Sequence, residues 1–119
     1  MKKVVIIDDS AYMRSIIKEA LIEEGNYEVI GEAADGNAAI EMVLDLKPDL
    51  ITLDNVLPDM IGIDILRILK EEEKIEAKVI MISAVGQDNV ISEGMAIGAT
   101  AYIVKPFTKE FLIETLGKI

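Results

Sequence analysis

Short apolar runs alternate with longer amphipathic stretches from one end of the chain to the other. Residues 4–7 (Val-Val-Ile-Ile) are an unbroken apolar run and predict a buried strand. Met13, Ile16, Ile17, Ala20 and Leu21 then recur at helical spacing, on one face of a helix that Gly25-Asn26 ends. Residues 27–33 predict a second strand, and Ala39, Met42, Val43 and Leu46 a second helical stripe, which Pro48 closes. A third strand covers 50–53, and Ile61, Ile65, Ile68 and Leu69 mark a third helix. The fourth strand, 79–82, precedes a weak helical pattern over 90–97, with Gly94 inside it and Gly98 after it. Glycine there costs about 1 kcal/mol relative to alanine, so this helix is expected to be the most mobile element. Residues 101–104 predict a fifth strand, and Leu112, Leu116 and Ile119 a last helix with Thr108 as its N-cap.

Strands alternating with helices in this way predict an α/β fold: a parallel sheet covered on both faces, with right-handed crossovers. The strands are apolar throughout, as two-sided burial requires. The 119 residues fit one compact domain, 1–119, and 51 % hydrophobic residues suffice for a core without staples.

Twelve basic residues against 22 acidic ones leave a net charge of −10. Such a surface repels nucleic acid and anionic membranes, and suits basic, apolar or metal-ion partners. The chain has no His and no Cys. That excludes a Ser-His-Asp triad, a thiol nucleophile and a zinc-thiolate site, and the chain cannot itself carry a phosphohistidine. No apolar run approaches the roughly 20 residues of a membrane span, and the apolar run at 4–7 is too short for a signal peptide. A soluble, cytoplasmic protein is expected.

The candidate chemistry lies just past the strands. Asp8 and Asp9 follow the first strand, Asp54 the third, Ser83 the fourth, and Lys105-Pro106 the fifth. In an open parallel sheet these C-terminal ends share one edge, where ligands bind. Taken singly, each residue is most often a loop residue, a cap or a solvated lysine. Their convergence is what carries information. Three carboxylates repel unless a cation sits among them, and hard oxygen ligands of this kind select Mg²⁺ or a similar ion. A metal held in that way is a common partner of a phosphoryl group, which an Asp can accept as a nucleophile. Asp54, alone on a central strand, is the candidate acceptor. Lys105 and the Ser83 hydroxyl are candidates to neutralise and bond the transferred group.

The fragments Ile7-Asp8-Asp9-Ser10, Met13-Arg14, Asp49-Leu50-Ile51-Thr52-Leu53-Asp54, Leu57-Pro58-Asp59-Met60-Ile61-Gly62, Ile82-Ser83-Ala84, Gly98-Ala99 and Ile103-Val104-Lys105-Pro106-Phe107 occur in this order and spacing. As a set they resemble response-regulator receiver domains, over all 119 residues, and among these the stand-alone messengers of the chemotaxis type. The resemblance implies a flavodoxin-like, doubly wound five-stranded sheet in order 2-1-3-4-5 with five helices. It implies Asp54 as the phosphorylated residue, Asp9 as the main metal carboxylate and Asp8 as the second. It also implies Val56 as a metal ligand through its backbone carbonyl, and Mg²⁺ as the metal. Ser83 matches the switch hydroxyl, Lys105 the phosphate-pairing lysine, and Tyr102 an aromatic that turns inward on activation. The Lys105-Pro106 bond matches one that is cis in the family. Such proteins take phosphate from a sensor histidine kinase and are read by a downstream switch or adaptor protein, the flagellar motor among them. A monomer is expected, one that promotes its own Mg²⁺-dependent phosphorylation and dephosphorylation without being a turnover enzyme.

Some positions depart from the family. Ile61 stands where Asn or Asp often precedes Gly62. Val56 and Val85 stand where many members carry polar side chains that influence attack of water on the acyl phosphate, so altered or slower phosphate loss is expected. Other functions fit less well. A phosphorelay intermediate or a receiver belonging to a larger regulator shares the same site. A Mg²⁺-dependent phosphohydrolase resembling the haloacid dehalogenases needs a second Asp two residues past the nucleophile, where Val56 stands. A flavin-binding protein of the same strand order needs a Gly- and hydroxyl-rich phosphate loop where Asp8-Asp9-Ser10 stands. A constitutive binding module would not need the intact set of Asp8, Asp9, Asp54, Ser83 and Lys105.

Overall fold

The computed structural model describes residues 1–84 and 88–119. Five strands alternate with five helices. They are β1 (Lys2–Ile7), α1 (Ala11–Glu24), β2 (Tyr27–Ala33), α2 (Gly36–Leu46), β3 (Leu50–Asp54), α3 (Gly62–Arg67), β4 (Lys78–Ala84), α4 (Asp88–Ile97), β5 (Ala101–Lys105) and α5 (Lys109–Leu116). The strands form one parallel sheet in the expected order β2-β1-β3-β4-β5. Among the described residues, no helix is long and apolar enough to cross a membrane.

Strand alternation divides the core into two layers. Val5, Ile7, Ile51, Leu53, Val79 and Met81 pack toward α2, α3 and α4. Val4, Ile6, Leu50, Ile80, Ile82 and Ile103 pack toward α1 and α5. Successive strand residues thus bury into opposite layers, which is why the strands read as unbroken apolar runs.

Local chemistry sets the helix ends. Ser10, Asp35 and Thr108 each accept a hydrogen bond from the backbone N–H three residues on, capping α1, α2 and α5. Gly25, at φ 93°, ends α1 in the left-handed region that only glycine enters freely. The second helix ends at Leu46, with Lys47 at φ 49°, just before Pro48.

Two expectations shift. Ile61 precedes α3 in an extended conformation and pairs with Val56 in an isolated antiparallel bridge, so it begins no helical stripe. Past Arg67 the helix loosens into a π-helical segment, Ile68–Glu72, in which the Glu73 N–H reaches back five residues to the Ile68 carbonyl. Leu69 is fully buried, as the helical stripe expected, but it lies in this π-helical segment and not in α3. Ile119 lies beyond the end of α5 and still packs, partly buried, on the layer of α1 and α5.

Gly94 is the buried residue of α4. A Cβ there would stand 3.5 Å from Ile63 Cδ1, 3.6 Å from Met81 Cγ and 3.8 Å from Leu66 Cδ2, all ordinary contacts. Gly94→Ala is therefore expected to stabilise the fold by about 0.5–1 kcal/mol, through helix propensity and added packing. Urea unfolding measures this, and a lower midpoint for the variant would show that α4 has no room to spare against α3 and β4.

Candidate functional site

Asp8 follows β1, Asp54 ends β3 and Lys105 ends β5, so the topology alone brings them to one sheet edge. Parity then puts them on one face. Asp8 continues the alternation of Val4 and Ile6, Asp54 that of Leu50 and Thr52, and Lys105 that of Ile103, all toward α1 and α5. One carboxylate oxygen from each of Asp8, Asp9 and Asp54 lies within 4.8 Å of the others. Asp8 and Asp54 are buried and Asp9 is exposed. Such a group of hard oxygens, open to water on one side, fits a divalent cation that keeps part of its hydration shell.

Each member is held in place. Asp8 Oδ1 accepts from the Ser10 N–H at 2.8 Å, and the Asp8 carbonyl accepts from Arg14 at 2.6 Å. Arg14 is braced in turn by Glu32 at 3.2 Å. Lys105 reaches across β4, its ammonium 3.3 Å from Asp8 Oδ2 and 3.1 Å from Asp54 Oδ1.

One ammonium does not offset three carboxylates. Burial, and then the Asp8 charge, push the Asp54 carboxyl above its ordinary pKa; Lys105 opposes them, and Asp9 adds a further upward push. Burial works against the Lys105 ammonium, but Asp54 and Asp8 outweigh it and raise its pKa. Asp54 is thus a desolvated carboxylate that gains from any added positive charge.

Ser83 is fully buried, yet its hydroxyl has no hydrogen-bond partner among the described residues. It follows the alternation of Met81 and so faces α2, α3 and α4, the side opposite to Asp54 and Lys105. Tyr102 is 45 % exposed, and Val56 is 57 % exposed, in the loop between β3 and α3. The Lys105-Pro106 peptide is cis. Val85 lies outside the described residues.

Two further residues support the site. Asn55, next to Asp54, is buried: its N–H bonds the Ile82 carbonyl, its carbonyl accepts from Gly62, and its side chain accepts from Ile63 at 3.3 Å. An Asn seven residues ahead of a helix gives no local cap pattern, so sequence spacing does not single it out. Arg14 stands in a quoted fragment, but its hold on the Asp8 carbonyl depends on a fold that brings the first turn of α1 back over β1.

The chain belongs to the response regulator receiver domain family, whose model matches residues 4–117. It is 43 % identical over 120 residues to the chemotaxis protein CheY of Thermotoga maritima, covering 99 % of this chain and 97 % of that one. Against CheY of Bacillus subtilis it is 38 % identical over 116 residues, covering 98 % and 95 %. Among solved structures, the Borrelia burgdorferi CheX-CheY-BeF3-Mg complex superposes with a TM-score of 0.91 at 32 % identity, over 98 % of this chain and 87 % of that one. These similarities place the chain among CheY-type response regulators.

Proposed function

We propose that the chain is a single receiver domain, residues 1–119, that works as a chemotaxis messenger phosphorylated on Asp54. The observation that carries this is the meeting of the Asp8, Asp9 and Asp54 oxygens with the Lys105 ammonium against Asp8 and Asp54. Asp8, Asp9 and Asp54 are the side chains to hold Mg²⁺, with the Val56 carbonyl as a backbone ligand. When bound, Mg²⁺ supplies positive charge that screens the carboxylates and the incoming phosphoryl oxygens.

Asp54 attacks phosphorus with a carboxylate oxygen. The bond from phosphorus to the donor, an imidazole nitrogen of a CheA-like sensor histidine kinase or the oxygen of acetyl phosphate, breaks, and the donor leaves with its electron pair. Lys105 pairs with the transferred group. The Ser83 hydroxyl, without a hydrogen-bond partner among the described residues, moves to donate to it. Tyr102, exposed here, then turns inward and changes the face that a downstream switch or adaptor protein reads. That face carries a groove of about 480 Å³ lined by Tyr102, Pro106, Phe107 and Phe111. The chain would act in the cytoplasm as a monomer, and each phosphorylation is one signalling event, not turnover of a substrate.

Intact-protein mass after incubation with acetyl phosphate tests the chemistry. One added phosphoryl group is expected on the wild type with Mg²⁺, and none without Mg²⁺ or on Asp54→Asn. A Mg²⁺-independent adduct, or one that survives Asp54→Asn, would move the reaction away from this site.

A further inference from the structure

The loop from Asn55 to Gly62 folds back on itself. The Val56–Ile61 bridge closes it, the Leu57 N–H bonds the Met60 carbonyl, and the Gly62 N–H bonds the Asn55 carbonyl at 2.6 Å. At its tip, Asp59 reaches another element altogether. Its Oδ1 accepts from the Gly36 N–H at 2.7 Å and its Oδ2 from the Asn37 N–H at 3.0 Å. These are the first residues of α2, twenty-odd positions back in the chain. Met60 sits directly over Gly36, where an added Cβ would run into its thioether. The Gly36 amide, opposed in part by desolvation, holds the Asp59 carboxyl below the usual carboxylate range. Asp35, the cap of α2 itself, uses the next N–H, that of Ala38, at 2.8 Å.

We propose that Asp59 is a positioning residue for the metal site: by clamping the loop tip onto the start of α2, it fixes where the Val56 carbonyl points. This rests on the reading above, in which Val56 contributes its carbonyl to Mg²⁺. Val56 itself is mostly exposed, between a buried Asn55 and a buried Leu57, so its own side chain does little to set the direction of its carbonyl. The two charge-assisted hydrogen bonds at the tip tether the side of the loop beyond Leu57 and so add to the hold that the buried Asn55 and Leu57 provide. Asp59 touches neither the metal nor the phosphoryl group. Its effect should therefore appear in how much Mg²⁺ is needed, not in the reaction once Mg²⁺ is saturating.

Titration calorimetry with Mg²⁺ alone, together with acetyl phosphate labelling across a Mg²⁺ series, tests this. Asp59→Ala is expected to weaken Mg²⁺ binding about tenfold, as loss of a residue that orients a metal ligand commonly does, with labelling at saturating Mg²⁺ unchanged. Asp59→Asn keeps one acceptor oxygen and should fall between it and the wild type. Asp35→Ala removes a cap from the same helix without releasing the loop, and should leave Mg²⁺ affinity as it is. The proposal is overturned if Asp59→Ala binds Mg²⁺ like the wild type, or if Asp35→Ala weakens binding as much. A wild type that neither binds Mg²⁺ nor is labelled would instead remove the metal site itself, and the proposal with it.

Discussion

Asp54→Asn is expected to melt higher than the wild type in a chelating buffer near neutral pH, by about 4 °C for a gain on the order of 1 kcal/mol. A unit charge about 4 Å away is worth roughly 4 kcal/mol at an effective dielectric of 20. The repulsion from Asp8 and the attraction of Lys105 therefore nearly cancel, and the cost of burying the Asp54 charge decides the balance. Asparagine keeps the shape and drops the charge. The sign with pH follows from the raised pKa. Folded Asp54 holds its proton more tightly than unfolded Asp54, so its ionised form lowers stability above the raised value. As pH falls through that range the wild type takes up the proton on folding, and the gap to the variant closes. Adding Mg²⁺ should reverse the order. A ligand at about 100 times its Kd stabilises the wild type by about 2.7 kcal/mol, more than the variant gained. Thermal melts of both proteins in chelator and in Mg²⁺ check this. A wild type that melts as high as the variant in chelator would mean that Lys105 outweighs burial.

The second large effect is expected from Gly62→Ala. A Cβ at Gly62 would fall on the Asp54 carbonyl oxygen and 2.8 Å from Asn55 Cα. Both are backbone atoms of the strand end that carries the site, and neither can swing aside as a side chain does. Alanine gains up to about 1 kcal/mol in helix propensity, but overpacking against backbone costs about 3 kcal/mol. The net loss of about 2 kcal/mol should lower Tm by roughly 8 °C, and acetyl phosphate labelling should slow because Asp54 is displaced. The same substitution at Gly94 has the opposite expected sign, since only side chains at ordinary contact distance surround that position. Equal melting temperatures for Gly62→Ala and the wild type would show that the loop from Asn55 to Gly62 shifts without strain.

The order of elements was legible because strands buried on both faces leave apolar runs, and helices covering a sheet leave stripes. The site was legible for a related reason. A parallel sheet sends every strand to the same edge, so Asp8, Asp54 and Lys105 could be gathered from position alone. What stayed hidden depends on contacts between segments far apart in the chain. Asp59 looks like any polar loop residue until α2 is folded against it. Asn55 works through atoms on β4 and α3. Ile61 fits the helical stripe by spacing, but it stands in an extended conformation paired with Val56, a contact that spacing does not show. The sheet edge at which Ser83 stands was foreseeable, but its face follows only from alternation along the observed strand.

That last detail has a mechanical meaning. By strand alternation, Asp8 and Asp54 on one hand and Ser83, whose hydroxyl has no partner among the described residues, on the other belong to opposite faces of the sheet at its C-terminal edge. A phosphoryl group carried by Asp54 and grasped by Ser83 would act as a clasp around the C-terminal edge of the sheet, linking the two packed layers there. The strength of the joint is then that of one hydrogen bond to a charged group, about 1.5–3 kcal/mol, or roughly a 10- to 150-fold change in the balance between two packings. A serine hydroxyl of a few atoms would thus set the gain of the whole device.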